Sequence, residues 1–292
     1  MTRFRFGIAT ILQGAEYPQL REAWQAIDGM NLDLITFWDH YLPISGDIDA
    51  PNHEVWTLLG ALAECTERVR FVPSVISTAR HDARLIANAA ATVDHISNGR
   101  LELGLGAGGV PDEHRRYGLP FPSAGERVAR LEESIRVILL LWSERRAHFA
   151  GRFFRLDDAP CEPKPVQRPH PPLTIAGGGE KRSLRIVARY AATWRAFNTA
   201  GNIPALAAKN RLLDDYCREI GRDPATLERA EAVTPPADWW TGAPDEGVAA
   251  LRAYAEAGVN CFILAARPPF PLQQIERFAR EVVPRFRTSV GT

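Results

Sequence analysis

Short apolar runs alternate with longer amphipathic segments along almost all of the 292 residues. A short apolar run is typical of a buried strand, whereas the longer segments have helical periodicity. Strands that alternate with helices in this way form a parallel sheet, because a crossover helix returns the chain to the same edge. The predicted strands are Phe4–Thr10, Asp33–Trp38, Val69–Ile76, Leu101–Gly106, Pro172–Ala176, Thr193–Phe197, Glu231–Thr234 and Val259–Ala265.

Eight strand–helix units are the number found in a (β/α)8 TIM barrel, which is the predicted α/β fold. A doubly wound open sheet is the alternative, since eight strands do not exclude it. A single barrel occupies ~250 residues, so residues 1–292 are predicted to form one domain. Gly99 and Gly258 are typical of left-handed residues that end a helix. The predicted helices span 17–30, 55–67, 82–97, 123–145, 180–192, 203–220, 245–257 and 271–286.

Two segments interrupt this order and are predicted to be loop excursions. Residues 41–53 follow the second strand and are polar and rich in turn-forming residues. Loops after barrel strands build the active site, so this segment is a candidate site wall. Residues 146–172 contain six prolines before the fifth strand, and we expect a packed excursion or a lid there.

Composition restricts the partners of the chain. Lys+Arg and Asp+Glu both number 35, so the basic surplus typical of nucleic-acid-binding proteins is absent. The first residues lack the apolar run of a signal peptide, and no window has the ~18 apolar residues of a membrane span. Four cysteines without C-x-x-C spacing indicate reduced thiols. We therefore expect a cytoplasmic protein that binds no nucleic acid and no membrane. The histidines form no recognisable metal-ligand set, so no metal is expected either.

Trp38-Asp39-His40 ends the second predicted strand. In a barrel, residues at this end of a strand surround the active site, and imidazole titrates near neutral pH. His40 is therefore a candidate acid or base. A packing or surface role is the alternative for a single histidine.

Two glycine-rich segments follow later strands. The glycines of Leu103–Gly109 would let a flat ring or a phosphate approach the backbone closely. A turn that needs a positive φ is the alternative explanation for them. A dinucleotide-binding fingerprint is disfavoured, because no helix is expected directly after these glycines. Ala176–Ser183 combines three glycines, two cations and a predicted helix start, which favours phosphate or polyanion binding over a solvated turn. Pro73 lies inside the third strand, where a local bulge is expected.

Several motifs, in order, resemble the bacterial luciferase-like family over roughly residues 4–287. The Trp-Asp-His sequence and the long 41–53 loop are similar to the branch that uses the deazaflavin coenzyme F420. The resemblance implies a homodimeric TIM-barrel enzyme that moves a hydride between the deazaflavin C5 and a small organic substrate. Besides the segments above, the matching motifs are Glu54-x-Trp56-x-Leu58, Leu62–Arg70, Ala87–Arg100, Pro163–Pro169 and Gly221–Pro224.

The resemblance also implies roles for individual residues. Asp39 would contact the polar edge of the deazaflavin ring, and His40 would face the reaction centre. A non-proline cis peptide would lie behind the ring, and two glycine-rich segments would line the ring, the ribityl chain, the phosphate and the oligoglutamyl tail. The residues implied for these contacts are Ser74, Val75, Ala107, Gly108, Asp112, Ala176, Gly177, Gly178 and Gly179.

Two positions depart from the family pattern. Gly109 stands where the sugar-phosphate dehydrogenases of the family have a proton-donating Glu, so that activity is not expected. Glu113, about one helical turn away, is the candidate replacement acid. Ala191–Arg195 reads Ala-Ala-Thr-Trp-Arg where relatives commonly have Ala-Asp-x-Trp-Asn, so this corner of the pocket differs.

Two other functions fit the same fold. The first is an FMN-dependent luciferase-like monooxygenase, because FMN can activate O2 whereas a deazaflavin favours hydride transfer. The second is a non-catalytic protein that binds a flavin or deazaflavin, since a fold alone does not define an activity.

Overall fold

The computed structural model of the chain describes residues 4–196, 201–233 and 243–290. Nine strands form one parallel sheet, and two more form an antiparallel hairpin. In chain order the strands are β1 (Arg5–Thr10), β2 (Leu34–Phe37), β3 (Arg70–Pro73), β4 (Ile76–Ser77), β5 (Leu103–Gly106), β6 (Ala147–Ala150), β7 (Arg155–Ala159), β8 (Leu173–Ala176), β9 (Thr193–Arg195), β10 (Glu228–Val233) and β11 (Cys261–Ala266).

The sheet closes through β3 and β4, which together form one interrupted strand of the barrel. We call each of the strand positions around the barrel a stave, so β3 and β4 are two halves of one stave. β3 pairs with β2 at one end of the sheet order, β4 pairs with β5 at the other, and Phe71 bridges to Leu101. The barrel therefore has eight staves, which confirms the predicted TIM barrel and makes the open-sheet alternative wrong. The predicted strand ends Phe197 and Thr234 lie outside the described residues.

Helices connect the staves close to the predicted positions. One helix was not expected: it begins at Pro111, directly after the glycine-rich end of β5. Proline suits a first helical position, because its missing N–H would have no partner there. Within the described ranges, no helix is long and apolar enough to cross a membrane. The helices are α1 (Tyr17–Gly29), α2 (Val55–Cys65), α3 (Ala83–Ile96), α4 (Pro111–Arg116), α5 (Ala124–Ser143), α6 (Ser183–Tyr190), α7 (Ile203–Glu219), α8 (Pro244–Glu256), α9 (Leu272–Arg277) and α10 (Val283–Val290), with a 3-10 turn at Pro224–Thr226 and a π segment at Phe278–Val282.

The apolar core has two layers. The larger layer lies between the barrel and its helices and includes the fully buried Trp24, Phe6 and Trp194. The smaller layer fills the barrel interior with the side chains of Leu34, Val72, Ala230, Cys261 and Ile263. All four cysteines are free thiols, as the sequence predicted.

The two loop excursions leave the barrel at opposite ends. Residues 38–54 follow β2 and border the C-terminal ends of the staves, which we call the mouth. The β6–β7 hairpin of the second excursion returns along α5, where Arg152 pairs with Glu126 in the first helical turn at 2.7 Å. Its proline-rich segment precedes β8 at the end opposite the mouth. There Lys164 Nζ donates to the carbonyl of Leu141 at 2.8 Å, and Gln167 Nε2 donates to Asp94 at 2.7 Å. The expected packed excursion is confirmed, and the alternative of a lid stays a prediction.

Candidate active site

Asp39 is buried just beyond β2, with 3% of its surface exposed. Its carboxylate accepts hydrogen bonds from the amide of Ser77 at 2.8 Å and from His81 Nε2 at 3.0 Å. The guanidinium of Arg80 lies 2.9 Å away. Asp39 therefore ties the end of β2 to the segment that follows β4.

Arg80 joins this carboxylate to a second one, Glu113, in the first turn of α4. Both side chains are 2% exposed, and Arg80 Nη1 bonds to Glu113 Oε2. Glu113 Oε1 also accepts from the amides of Tyr41 at 2.7 Å and Leu42 at 3.3 Å. A buried ion pair is retained where hydrogen bonds satisfy its remaining oxygens, as they do here.

His40 contacts the same carboxylate, with Nδ1 3.1 Å from Glu113 Oε2. A carboxylate oxygen only accepts, so Nδ1 carries the proton and Nε2 is left for other partners. Asn52 Nδ2 donates to the carbonyl of His40, and Asn52 Oδ1 accepts from Trp38 Nε1 at 3.2 Å. Loop 41–53 thus forms a wall of the site and fixes the backbone of His40. We call His40, Asp39, Arg80, His81 and Glu113 the Arg80 cluster.

Both carboxylates of the Arg80 cluster stay ionised. Burial alone would raise the pKa of Asp39, but the hydrogen bond from His81 and the charge of Arg80 outweigh it and lower the pKa. Burial acts on Glu113 in the same way, and the hydrogen bond from His40 with the charge of Arg80 lowers its pKa. An ionised carboxylate that is buried and saturated with donors is a poor proton donor. The expectation that Glu113 replaces the missing acid is therefore not supported by its surroundings.

The glycines of β5 accommodate the neighbouring stave. A Cβ on Gly104 would collide with the carbonyl oxygen of Pro73, and one on Gly106 would collide with the side chain of Val75. Gly108 has φ +76°, and a Cβ there would collide with Ser77. The Ser74–Val75 peptide is cis and forms the expected interruption of the stave. The close approach inferred from these glycines is thus made by the protein itself, and the positive-φ turn is confirmed at Gly108.

The second glycine-rich segment wraps around the start of α6. Gly177 and Gly179 each leave room for the side chain of Ser183, which would lie 3.0 Å from a Cβ at either position. The carbonyl of Gly177 accepts from Trp194 Nε1 at 2.8 Å. Lys181 is exposed and precedes the helix, which begins three residues later than the predicted start at 180. Ala176 and Gly178 are half-buried in the same strand end and loop.

The remaining sequence candidates differ in position. Ala107 is half-buried at the mouth beside Gly108. Asp112 faces away from the Arg80 cluster: its side chain is 48% exposed and pairs with Arg115 and with Arg116 at 2.7 Å. Contacts of these residues with a cofactor stay predictions. Within the described parts of the chain, no three His, Cys, Asp or Glu side chains group as a metal site would require.

Sequence reasoning missed Arg80 and gave His81 no role. Arg80 follows β4 by three residues and reaches Asp39 and Glu113, which lie 41 and 33 positions away in the sequence. The only local indication was that both residues directly follow a barrel stave, where active-site groups are expected.

Comparison with known proteins assigns the chain to a family. The profile of the luciferase-like monooxygenases matches residues 1–237, and the chain belongs to this family. An F420-dependent glucose-6-phosphate dehydrogenase of Segniliparus rotundus is 28% identical over 329 residues, covering 92% of this chain and 94% of its own. An FMNH2-dependent dimethylsulfone monooxygenase of Pseudomonas putida is 34% identical over 151 residues, which cover 52% of this chain and 40% of its own.

A solved structure supports the same architecture. An F420-dependent secondary alcohol dehydrogenase, in complex with an F420-acetone adduct, superimposes with a TM-score of 0.85 at 22% identity. The match covers 98% of this chain and 99% of that one. With its family and relatives, the chain is an oxidoreductase, so the alternative of a non-catalytic binding protein is set aside.

Proposed function

We propose that this oxidoreductase uses coenzyme F420 and moves a hydride between the deazaflavin and a small organic substrate. The observation that carries the proposal is the F420-dependent relative that matches over 92% of this chain and 94% of its own. The FMNH2-dependent relative matches over 52% and 40% only. The Trp38-Asp39-His40 sequence and the 41–53 loop favour the same branch.

The chain beyond β5 is small and open. Ala107, Gly108 and Gly109 carry almost no side chain, and no atom of the described residues lies within 4 Å of a Cβ built on Gly109. We propose that these residues, with Ser74 and Val75, line the ring, and that Gly177–Gly179 hold the phosphate and tail. When bound, the deazaflavin supplies a carbon, C5, that gives or accepts a hydride.

His40 is the proposed acid–base residue. Its Nδ1–H is fixed by Glu113, and its side chain is 21% exposed, so Nε2 is the nitrogen available to a substrate. In this position Nε2 accepts a proton from, or returns one to, the oxygen of an alcohol or carbonyl substrate. Glu113 is a positioning residue, because it orients His40 and touches no substrate itself. Asp39 positions Arg80 and His81 through its contacts with both side chains.

The alternative function is an FMN-dependent monooxygenase. It is favoured by the name of the family and by the FMNH2-dependent relative, which is the more similar of the two in percentage identity. The two functions predict different cofactor affinities, so a binding measurement separates them.

Fluorescence titration of the purified protein with F420 and with FMN tests the proposal. We expect F420 to bind at least about tenfold more tightly, a difference of ~1.4 kcal/mol. A deazaflavin truncated after its ribityl chain should bind more weakly than intact F420, because Gly177–Gly179 would lose their ligand. Equal or tighter binding of FMN would favour the monooxygenase instead.

The remaining proposals concern the whole protein. We propose that residues 1–292 act as a single domain, that the enzyme is a homodimer, and that it works in the cytoplasm. Light scattering on the eluting peak of a gel filtration column measures the mass of the protein in solution. The mass of a monomer would overturn the homodimer.

A further inference from the structure

Arg195 ends β9, and its side chain reaches across the top of the barrel interior. Its Nε lies 3.4 Å from the hydroxyl of Ser74, next to the cis peptide, and its Nη1 lies 3.4 Å from the carbonyl of Ala196. The nearest carboxylate oxygen, on Glu231, is 3.9 Å away. Each of these contacts is at or beyond the limit of a good hydrogen bond. Nη2 donates no hydrogen bond to any described residue.

Other buried arginines of the chain are paired far more closely. Arg5, at the opposite end of the barrel, bonds to Glu102 at 2.7 Å and to Glu228 at 3.0 Å. Arg80 is held by both carboxylates of the Arg80 cluster. Arg195 has five N–H donors and no short ionic partner among the described residues. A guanidinium in this state is suited to a partner that lies beyond the described residues, such as a bound ligand.

The mouth is the side from which a ligand can reach Arg195. Below it, Arg195, Glu102 and Glu228 line one interior cavity of about 10 Å³, which is room for about one water molecule. Glu228 pairs with Thr193, two residues before Arg195 on β9, so the two carboxylates lie deeper in the barrel. The Arg195 side chain is 15% exposed, and it shares the mouth with His40.

Burial lowers the pKa of both interior arginines, but the net result differs. For Arg195 the attraction of Glu231 offsets only part of the effect of burial, and the pKa is lowered. For Arg5 the combined attraction of Glu102, Cys261 and Glu228 outweighs burial, and the pKa is raised. An anion bound at Arg195 would stabilise the charged guanidinium and raise its pKa, as the carboxylates do for Arg5. The surroundings of Arg195 are thus those of a binding group rather than of a structural ion pair.

We propose that Arg195 binds a carboxylate of the substrate, so that the substrate is an organic acid whose reacting carbon faces His40. The planar guanidinium matches a carboxylate through two parallel hydrogen bonds, for which Nη2 and Nη1 are available. This proposal rests on the proposed function only in that it names the substrate class for the same site.

Calorimetric titration tests the proposal with matched pairs of probes. The F420-loaded and the cofactor-free protein are each titrated with acetate and acetamide and with benzoate and benzamide, which differ within a pair mainly in charge. We expect at least one carboxylate to bind about tenfold or more tightly than its amide. Arg195→Asn should reduce this ratio to near one, whereas Arg195→Lys should retain part of it. Arg146→Gln removes an exposed charge at the far end of the barrel and should leave the ratio unchanged.

The possible outcomes separate the two proposals. A wild-type protein that binds no carboxylate better than its amide overturns the role of Arg195, and that measurement does not depend on how the variants fold. A preference that persists in a folded Arg195→Asn protein overturns it as well. If the preference holds but F420 does not bind, the carboxylate site stands and the cofactor proposal fails.

Discussion

Individual side chains of the Arg80 cluster divide the tasks of the proposed reaction. His40 has one ring nitrogen fixed on Glu113 and one directed elsewhere, whereas Glu113 is almost inaccessible, with 1% of its surface exposed. Exchange of a proton with a substrate therefore belongs to the imidazole, and its orientation belongs to the carboxylate. Replacing either residue should affect turnover, but by different amounts and in different ways.

Replacing His40 with alanine should lower kcat by roughly two to four orders of magnitude, the usual contribution of a positioned acid–base group. The affinity for F420 should change little, because His40 is not among the residues proposed to hold the cofactor. Steady-state kinetics and a fluorescence titration measure the two quantities. Unchanged turnover of a genuine substrate would mean that His40 only packs.

Replacing Glu113 with glutamine should lower kcat about tenfold and alter its pH profile, because the ring of His40 loses an anionic partner while the shape is kept. The ¹⁵N shifts of His40 should show Nδ1 protonated in the wild type and a mixture of tautomers in the variant. Glu219→Gln is the matched control, since it makes the same substitution at a carboxylate of α7 that is 50% exposed and pairs only with the exposed Arg185 among the described residues. A pH profile identical to that of the wild type would remove the positioning role from Glu113.

Among the elements, the interrupted stave β3–β4 and its neighbour β5 are matched in shape. Pro73 and Val75 occupy the space where Cβ atoms would stand on Gly104 and Gly106. The glycines of β5 are therefore required by packing within the barrel wall. A ligand is not needed to explain them.

Gly104→Ala should reduce the free energy of unfolding by about 3 kcal/mol or more, because its Cβ would meet the rigid backbone of Pro73. Gly109 lies three residues beyond the end of β5, and a Cβ there would meet no atom of the described residues within 4 Å. Gly109→Ala should therefore change that free energy by less than ~0.5 kcal/mol. Urea denaturation of both variants provides the comparison. Equal stability of the two would show that β4 can move away from β5 at little cost.

Across the whole molecule, buried ion clusters tie distant parts of the chain together at both ends of the barrel. The Arg80 cluster holds the mouth, and Arg5 with Glu102 and Glu228 holds the opposite end. Burial raises the pKa of Glu228, because the attraction of Arg5 only partly offsets it, whereas the pKa values of Asp39 and Glu113 are lowered. Of these two clusters, only the Arg80 cluster is therefore expected to lose stability in acid.

The free energy of unfolding should fall as the pH drops below about 4, the ordinary pKa of a carboxyl group. Asp39 and Glu113 have lower pKa values folded than unfolded, so their contribution is complete above that pH and is lost as the pH falls through the folded values. Asp39→Asn should cost about 3–5 kcal/mol at pH 7, because it leaves Arg80 buried with less compensation. It should also flatten the acid dependence.

Urea denaturation at a series of pH values measures both effects. Asp112→Asn serves as the control, because its exposed pairs with Arg115 and Arg116 are worth little. A wild-type protein whose stability is the same at pH 3 and pH 7 would contradict the role of the buried carboxylates.

The sequence by itself determined the barrel, the order of its strands and helices, and the end of β2 as a place for chemistry. Strand and helix periodicity are local properties that a short window contains, and the right-handed crossover leaves few ways to assemble eight such units. The position of His40 at the mouth follows from the same reasoning, since it directly follows a stave.

Only the tertiary structure decided what the neighbouring residues do. Glu113 could be read from the sequence as an acid, but Arg80 and the amides of Tyr41 and Leu42 fix it as an anion. The glycines of Leu103–Gly109 could indicate the approach of a ring or a phosphate or a positive-φ turn, and the structure shows that the stave beside Gly104 and Gly106 fills the space of their Cβ atoms. These outcomes depend on contacts between residues 30 or more positions apart in the sequence, for which local periodicity contains no information. Burial and the arrangement of charges arise only when the barrel closes, and they set the chemistry of each group.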